Sequence, residues 1–508
     1  MIVLIKKRAC FFRLFFVFSF FFVVSRVSFS QGINNLWMMG YSDSAGYPWG
    51  NYNLNFQNNS YSIDTTHRYI DIYTTNANIA DSNGNLLFYC NGVNVADANG
   101  IIMQNGSGLN PSNYTSQNPE GLYLNQGVLI LPLPSSNNIY YLFHSTIDYQ
   151  IQVSSLYLYL SIIDMNLNGG LGAVTTKNQV LINDSLNYGK ITACKHANGR
   201  DWWVVCHRAF SDMYYKFLLT PSGLSGPYTQ HVGTNRSYDG GQFCFSPDGK
   251  KLAYFSIVTE MDILDFDRCT GMFSNLTHFA INDSAFGRGV AFSPNSQYLY
   301  APSTKYIYQF DVTAANIAAT KTTIAIWDTT MYSPPQGGPL LSLQALFNIA
   351  QLAPDGKIYV STGNGTFVLH VIDQPDSAGS TCNFIPMGVQ LPFYYFNSLP
   401  NHPNYFLGCD TTCGPCLTNL TPGPSPKERG VKAVPNPNDG NFTLQFPVHG
   451  ASGELYVYDV MGNVVFRDYV APWSQYKRVD LTKMSDGIYF CKLRWKGSNS
   501  SVKAVIKR

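Results

Sequence analysis

The stretch that decides the fold is FSPDGKKLAYFS at residues 245–256, in which a Pro-Asp-Gly turn leads directly into a run of apolar residues. Asp-Gly supplies the positive φ that a tight hairpin turn requires, and the preceding proline fixes its own φ near about −65°. Aromatic and aliphatic side chains then suit the half-buried surface of a sheet. The stretch therefore predicts a β-hairpin whose second strand is Lys251–Ser256.

The same unit of a tight turn and a strand recurs six times, and its turns end 54, 61, 50, 47 and 60 positions apart. The six turns are DSNG at 81–84, SSNN at 135–138, HANG at 196–199, SPDG at 246–249, SPNS at 293–296 and APDG at 353–356. The strands predicted after them are Leu86–Cys90, Ile139–His144, Trp202–His207, Lys251–Ser256, Tyr298–Ser303 and Lys357–Ser361. No long helical pattern interrupts this series, which indicates an all-β repeat architecture.

Repeated four-stranded units of about 40–50 residues are typical of a β-propeller, which we predict over residues 32–408. One unit cannot bury both faces of its own sheet, so neighbouring units must stack. We expect about seven blades, with the aromatic segments Leu36–Tyr41 and Phe393–Phe406 closing the seventh blade from the two ends. Six or eight blades also fit the length, and a β-sandwich array or a solenoid is the alternative arrangement.

Two of these units resemble a known blade signature. FSPDGKKLAY at 245–254 and FSPNSQYLY at 292–300 are similar to the repeats of TolB-like and WD-repeat-like propellers. The stretch GNLLFYCNGVNVADANGIIMQNG at 84–106, together with DFDRCTG at 265–271, resembles propeller regions of exported Bacteroidetes surface proteins. The resemblance implies a propeller in the cell envelope and names no ligand.

The composition agrees with an exported β protein. Of 508 residues, 45% are hydrophobic and 15% aromatic, whereas only 13% are charged, about half of the usual ~25%. Residues 1–30 and residues 431–508 each carry a formal charge of +5, so the total of +2 leaves −8 on residues 31–430. The low total charge argues against a broad nucleic-acid-binding surface, so we expect no nucleic-acid partner.

The first thirty residues have the layout of a secretory signal peptide. An 11-residue apolar run, LFFVFSFFFVV at 14–24, follows four basic residues, and Ser28 and Ser30 occupy positions −3 and −1 of a cut before Gln31. A membrane anchor is the alternative, but the run is shorter than the ~17–25 residues that span a bilayer. We therefore expect residues 1–30 to be removed and no transmembrane segment to remain.

Ten of the eleven cysteines remain after this cut, in a compartment that permits disulfides. The cluster CDTTCGPC at 409–416 matches the spacing of an iron–sulfur motif and contains a thioredoxin-like Cys-Gly-Pro-Cys, but it lies in a proline-rich loop rather than at a helix start. We interpret Cys409, Cys413 and Cys416 as a disulfide staple. Cys194, His196, Cys206 and His207 lie on one predicted hairpin. A two-residue turn would put Cys194 and Cys206 on opposite faces of the sheet, and a loop longer or shorter by one residue would reverse this, so core or disulfide residues are favoured over zinc ligands.

A linker and a small domain follow the propeller. Residues 409–430 are rich in cysteine and proline, and TNLTPGPSPKERG at 418–430 has no apolar periodicity, so we predict an exposed linker. Residues 431–508 are predicted to form a C-terminal β-sandwich. Its predicted strands are Phe442–Phe446, Glu454–Asp459, Val464–Tyr469, Lys477–Asp480, Ile488–Arg494 and Val502–Ile506. Cys491 shares strand parity with Tyr489 and Leu493 and is expected to be buried.

This domain resembles the type A C-terminal sorting domain of the Bacteroidetes type IX secretion system. The matching stretches are PNPNDGNF at 435–442, VYDVMGNVV at 457–465, LTKMSDGIY at 481–489 and the basic tail KAVIKR at 503–508. The motif residues are Pro435, Asn436, Pro437, Gly440, Phe442, Tyr458, Asp459, Gly462, Gly487 and Tyr489. The resemblance implies recognition by the secretion machinery, removal of the domain after transit, and a mature protein that is secreted or attached to the outer-membrane surface. An ordinary carbohydrate-binding sandwich is the alternative.

The sequence nominates no catalytic, cofactor-binding or metal-binding residue. It contains no G-x-S-x-G, no H-E-x-x-H and no phosphate-binding glycine loop. DSNGN at 81–85 lacks the glycine and glutamate that complete an EF-hand loop. A surface binding or adhesion module for an extracellular glycan or protein is favoured over an enzyme. A propeller hydrolase or lyase acting on polysaccharide or peptide, and a structural envelope part, are the alternatives.

Deleting residues 431–508 should leave a folded propeller in the periplasm and abolish surface display, because the propeller buries its own core between blades. Fractionation and surface proteolysis of the producing cells measure both effects. The reciprocal control fuses residues 431–508, with part of the linker and a signal peptide, to an unrelated cargo, which should then reach the surface. Normal display of the deleted chain would overturn the sorting assignment, and loss of propeller folding would instead favour an integral structural domain.

Overall fold

In a computed structural model, the chain folds into two β-rich regions that together account for every described strand. The structure describes residues 32–44, 46–57, 60–147, 155–237, 240–258, 260–283, 289–329, 331–332, 343–413, 416, 431–446, 452–471, 476–495 and 498–508. The predicted signal peptide at 1–30 lies outside these residues, as does most of the predicted linker. No helix in the described part of the chain is long and apolar enough to cross a membrane.

Residues 36–395 form seven antiparallel blades, numbered here in chain order. Blade 1 contains Leu36–Gly40, Asn51–Gln57 and Ser60–Thr66. Blade 2 contains Ala77–Ala80, Leu86–Cys90 and Val95–Asp97. Blade 3 contains Val128–Pro132, Ile139–His144 and Ser155–Asp164. Ala173–Lys195 joins blade 3 to blade 4, which continues with Trp202–Arg208, Ser211–Thr220 and Gly223–Arg236. Blade 5 contains Gly241–Phe245, Lys251–Ser256, Glu260–Asp267 and Met272–Phe279. Blade 6 contains Ala291–Phe292, Tyr298–Ser303, Tyr306–Asp311 and Thr322–Ile326. Blade 7 contains Ala350–Leu352, Ile358–Val360, Thr366–Ile372 and Phe384–Tyr395.

Short elements connect the blades. A one-turn helix, Asn113–Gln117, precedes blade 3, and the hairpin of Met331–Tyr332 and Leu343–Gln344 precedes blade 7. The described 3-10 turns are Gly32–Asn34, Asn168–Gly170, Ala318–Thr320, Gly379–Cys382 and Thr411–Cys413. None of these elements covers a blade, so the cores must lie between the sheets themselves.

The blades pack face to face in a closed ring. Successive pairs share apolar clusters along the chain, for example Leu252 and Phe266 of blade 5 with Trp203 and Tyr214 of blade 4. The last blade packs on the first through the cluster that contains Trp37. The prediction of an all-β propeller is thus confirmed, with seven blades.

All six predicted turns connect the inner strand of a blade to the next strand outward, in blades 2 to 7. In the first of them, Asp81 Oδ1 accepts hydrogen bonds from the backbone N–H groups of Asn83 (2.8 Å) and Asn85 (2.9 Å). Gly84 adopts φ +86°. The oxygen ligands of DSNGN therefore serve the turn itself, as sequence analysis expected.

One strand is shared between two blades. Ala173–Lys195 pairs with Ser155–Asp164 along its first part and with Trp202–Arg208 along its last part. Side chains at 175–181 are exposed or half-buried, whereas every residue at 189–195 is buried. The strand thus passes from the outer edge of blade 3 to the inner edge of blade 4, which is the step that carries the chain around the ring.

The ring does not close as the sequence suggested. Leu36–Gly40 is an edge strand of blade 1, and residue 393 belongs to the outer strand of blade 7, so the two end segments do not share one sheet. The chain after Tyr395 instead runs between inner strands: Gln351 Nε2 donates to His402 O (3.3 Å), and His402 Nε2 donates to Asn78 O (2.9 Å). Pro400 and Pro403 explain the difference, because proline cannot donate to a strand ladder.

Amide side chains bind the free edges of the inner strands. Gln242 Nε2 donates to Ala350 O (2.8 Å), and its Oε1 accepts from the N–H groups of Val290 (3.0 Å) and Ala350 (3.1 Å). Asn401 Nδ2 donates to Val128 O (2.8 Å) and to Ile191 O (3.0 Å). Together these two side chains tie the backbones of blades 3 to 7 around the centre of the ring.

Residues 431–508 form a sandwich of two antiparallel sheets. One sheet contains Lys432–Val434, Asn441–Gln445 and Tyr476–Asp480, and the other contains Gly453–Tyr458, Val464–Val470, Gly487–Trp495 and Ser498–Ile506. Leu455 and Val457 are fully buried between the sheets, while Tyr456 and Tyr458 lie on the other face. Cys491 is fully buried in the same core.

Replacing Gln242 with alanine should lower the free energy of unfolding by roughly 2–4 kcal/mol, because it leaves three buried backbone groups without their partner. Urea denaturation followed by intrinsic fluorescence measures the change. The matched control is Gln117→Ala, at an exposed helix position, where a change below about 0.5 kcal/mol is expected. Equal stability of the two variants would contradict the proposed role of the amide.

Candidate functional site

A cavity of about 840 Å³ opens at the end of the ring where the inner strands turn back. Its wall is rich in uncharged amides. The six asparagines are Asn34, Asn35, Asn55, Asn83, Asn401 and Asn404. Phe245, Phe292 and Phe406 supply apolar surface between them. This size lies within the ~300–1,000 Å³ range of small-molecule sites.

The cavity has a floor. Gln126, which lines it, donates from Nε2 to Phe243 O (2.9 Å) and accepts at Oε1 from Phe243 N (3.0 Å). Gln126 precedes the inner strand of blade 3 and Phe243 lies on that of blade 5, so this pair links blades that are not neighbours. With Gln242 and Asn401, it joins the inner strands beneath the cavity, which can therefore accept the end of a chain.

Charge is nearly absent from the cavity wall. Asp355 is the one carboxylate among the described lining residues, and it already accepts a hydrogen bond from the Tyr359 hydroxyl (2.7 Å). Burial lowers the pKa of His402 to about 4, so this imidazole is neutral near pH 7. The wall therefore does not bring together the two carboxylates and the histidine or arginine that an acid–base site would need.

Three acceptor atoms at the cavity lack a hydrogen-bond partner within the described part of the chain. They are Asn34 Oδ1, Asn55 Oδ1 and His402 Nδ1. Because His402 Nε2 carries the proton that it donates to Asn78, Nδ1 is left as an acceptor. These three atoms are enclosed by the protein, so a ligand in the cavity meets other polar atoms of its wall.

A cluster of half-exposed aromatic rings lies at the other end of blade 1. This surface, called the aromatic face, consists of Tyr41, Trp49, Tyr73, Tyr123 and Phe396. Ring centroids lie 5.2 Å apart for Tyr41 and Trp49, 4.3 Å for Tyr73 and Phe396, and 5.6 Å for Tyr73 and Tyr123. These separations are typical of favourable aromatic pairs.

The two sites are separated by the length of a strand. Leu36–Gly40 starts beside Asn35 at the cavity and ends beside Tyr41 in the aromatic face. At ~3.3 Å per residue, this strand places the two about 20 Å apart. The amide floor lies between them, so a ligand at one site does not enter the other.

Carboxylates surround the aromatic face. The pKa of Asp71 is raised, first by burial and then by the nearby carboxylates of Glu120 and Asp43, while a hydrogen bond from Ser42 opposes this rise. The pKa of Tyr41 is also raised, by burial and by Tyr73, Asp71 and Glu120. The face therefore combines exposed rings with at least two ionisable acceptors.

One buried amide positions these carboxylates. Asn91 Nδ2 donates to the backbone carbonyls of Asp71 (2.9 Å) and Glu120 (3.0 Å), which lie on separate loops. Sequence reasoning missed the site because its residues are dispersed over positions 41 to 396. The aromatic segments at the two ends of the propeller were the one signal that pointed to it.

The sorting-domain motifs lie side by side. Asn436 Oδ1 accepts from Val505 N (2.8 Å), and Gly440 O accepts from Leu481 N (2.7 Å). Arg508 donates to Asp439 O (3.1 Å) and to Thr482 O (2.8 Å). Three stretches that are distant in sequence, at 435–440, 481–487 and 503–508, thus form one end of the sandwich.

The remaining residues of the sorting-domain motifs lie in the core of the sandwich, on its surface or in a turn. Phe442 and Tyr489 are buried in the sandwich core, whereas Pro435, Pro437 and Gly487 are exposed. Tyr458 is half-buried at the end of its strand. The turn that follows is held by Asp459, whose Oδ1 accepts from the N–H groups of Met461 and Asn463 (both 2.9 Å), and Gly462 adopts φ +84° there.

The cysteine cluster is tied to the propeller. Cys409 is bonded to Cys416, and Cys413 is bonded to Cys269 at the end of a blade 5 hairpin. Arg268 supports the same segment, because its guanidinium donates to Gly408 O (2.5 Å) and Lys195 O (2.9 Å). These bonds and contacts connect the segment after residue 408 to blade 5.

The side chains of Cys194, His196, Cys206 and His207 do not come together at one point. Cys194 lies in the core between blades 4 and 5, whereas Cys206 lies in the core on the other face of blade 4. The His196 ring bonds Cys269 O (3.0 Å). Within the described residues, no group of three potential ligands is placed to hold a metal ion.

Comparison with known proteins identifies the C-terminal domain. Residues 432–507 match the family model described as the secretion system C-terminal sorting domain. No curated protein matches the chain.

Among solved structures, the chain is similar to two provisionally assigned 6-phosphogluconolactonases. The protein from Bacteroides fragilis has 14% identity and a TM-score of 0.43, with 73% of this chain and 98% of that chain covered. The protein from Bacteroides uniformis has 11% identity and a TM-score of 0.42, with 72% and 98% covered. A quinoprotein alcohol dehydrogenase-like protein from Bacteroides thetaiotaomicron has 12% identity and a TM-score of 0.36, with 74% and 78% covered.

Fold and sorting domain together define an exported β-propeller protein. Its C-terminal domain directs it through the type IX secretion system to the extracellular space or the cell surface. The predictions of fold, export route and location are confirmed.

Peptide mapping of the unreduced protein should recover a Cys269–Cys413 link and a Cys409–Cys416 link, because the structure places these pairs together. Cys90, Cys194, Cys206, Cys244, Cys382 and Cys491 should be alkylated as free thiols once the chain is unfolded. Reduced protein is the control, and both links should disappear from it. Recovery of Cys409, Cys413 and Cys416 all as free thiols would contradict the staple.

Proposed function

We propose that this protein is a cell-surface glycan-binding module whose aromatic face holds an extracellular polysaccharide. The observation that carries the proposal is the combination of five clustered rings, Tyr123 being 47% exposed, with carboxylates at their edge. Sugar rings present C–H faces that stack on aromatic side chains, and their hydroxyls donate hydrogen bonds to carboxylates. Delivery to the surface by the sorting domain puts the face in contact with external polymers.

The chemistry of the face favours a glycan over an apolar partner. Its rings adjoin the ionisable groups of Asp71 and Glu120, which an apolar partner would bury without compensation. A polysaccharide satisfies these groups with hydroxyls while covering the rings.

A hydrolase that acts on the same polysaccharide is the second candidate. Burial and the nearby Glu120 carboxylate raise the pKa of Asp71, and a pair of carboxyl groups is the requirement for acid–base cleavage of a glycosidic bond. Binding remains the first proposal, because both carboxylates lie on loops at the edge of the rings and the central cavity holds no such pair.

Tyr123→Ala should weaken polysaccharide binding roughly two- to tenfold, since one stacked ring contributes about 0.5–1.5 kcal/mol beyond its buried area. Affinity electrophoresis of the full chain against a panel of soluble polysaccharides measures the loss. Tyr228→Ala is the matched control, because Tyr228 is also 47% exposed but lies on the outer strand of blade 4.

Equal binding by Tyr123→Ala and the unaltered protein would reject the aromatic face as the site. Release of reducing ends by the unaltered protein, lost in Glu120→Gln, would replace the binding proposal with the hydrolase. Retained binding without released products supports the module.

A further inference from the structure

We infer that the central cavity is a second binding site, which takes the uncharged end of a glycan chain. The inference extends the proposed glycan-binding function to a separate part of the propeller. The wall carries the side-chain amides of six asparagines, among them Asn35, Asn55 and Asn404, and its carboxylate Asp355 is already engaged by Tyr359. A sugar hydroxyl matches such amides because both groups donate and accept hydrogen bonds.

The floor selects an end rather than the middle of a polymer. Gln126, Gln242 and Asn401 join the inner strands across the ring, so a chain that enters the cavity cannot pass through it. The volume of about 840 Å³ accepts a ligand larger than a single small group. The occupant is therefore the terminal portion of a longer molecule or a short oligomer.

The nearly uncharged wall of the cavity favours the end of a glycan over the end of a peptide. Both ends of a peptide are charged near pH 7. The described lining contains no lysine or arginine to meet a carboxylate, and its carboxylate Asp355 is already engaged by Tyr359. The end of a neutral glycan carries only hydroxyls, which match amides because both groups donate and accept hydrogen bonds.

The two sites lie on opposite sides of the floor, so variants separate them. Asn55→Ala removes an amide side chain of a residue that lines the cavity, and Tyr123→Ala removes a ring from the aromatic face. Asn35→Ala is a second cavity variant, since the Asn35 side chain lines the wall. Asn113→Ala is the matched control, because Asn113 is exposed on the helix Asn113–Gln117.

Calorimetric titration of the full chain with cellobiose, maltose and lactose, and with counterparts that end in glucuronic acid, tests the inference. We expect at least one neutral disaccharide to bind, its acidic counterpart to bind at least tenfold more weakly, and Asn55→Ala and Asn35→Ala to lose about tenfold. Asn113→Ala and Tyr123→Ala should bind the disaccharide unchanged.

The inference fails if no neutral disaccharide binds, if acidic and neutral ends bind equally, or if both cavity variants bind like the unaltered protein. Its failure is distinguishable from failure of the aromatic face, because polysaccharide binding in electrophoresis depends on Tyr123 and should be unaffected by Asn55→Ala. Loss of disaccharide binding in Tyr123→Ala would also overturn the second site, since it would place both ligands on the aromatic face.

Discussion

The free edges of the inner strands are the constraint on which this propeller depends. An inner strand has a ladder partner on one side only, so its other edge exposes backbone groups that must be satisfied. Gln242 satisfies groups on blades 6 and 7, and Asn401 satisfies groups on blades 3 and 4. An amide suits this task because it donates and accepts within one planar group. The ring is therefore held at its centre by side chains, in addition to the apolar packing between blades.

This solution also divides the molecule into two faces. Had the inner edges been satisfied by solvent alone, the channel would connect both ends of the ring. Instead the amides form a floor, with an uncharged cavity on one side and the aromatic face on the other. The segment after Tyr395 contributes to both faces, since Phe396 belongs to the aromatic face and His402 lines the cavity. The segment that closes the ring thus also completes each site.

The fold was predictable because its signals are local. Each Pro-Asp-Gly or Asn-Gly turn determines a hairpin from four residues, and six such turns set the repeat. The closure was predicted wrongly, because Pro400 and Pro403 replace a strand ladder with side-chain bonds. Neither site was predictable in detail, since Asn55 and His402, or Tyr41 and Phe396, meet only after the ring has closed. Ladder-breaking prolines in an end segment are the signal that would have suggested a different closure.

The disulfide staple fixes the closing segment, the part of the chain after Tyr395, to the propeller. This segment is held at its start by blade 7 and at its end by Cys413, which is bonded to Cys269 across 144 residues. Cross-links that close long loops restrict the unfolded chain most strongly. The Cys409–Cys416 bond closes a short loop next to this cross-link, so the end of the segment is fixed twice. The staple thus supports the segment whose Phe396 belongs to the aromatic face and whose Asn401 and His402 line the cavity.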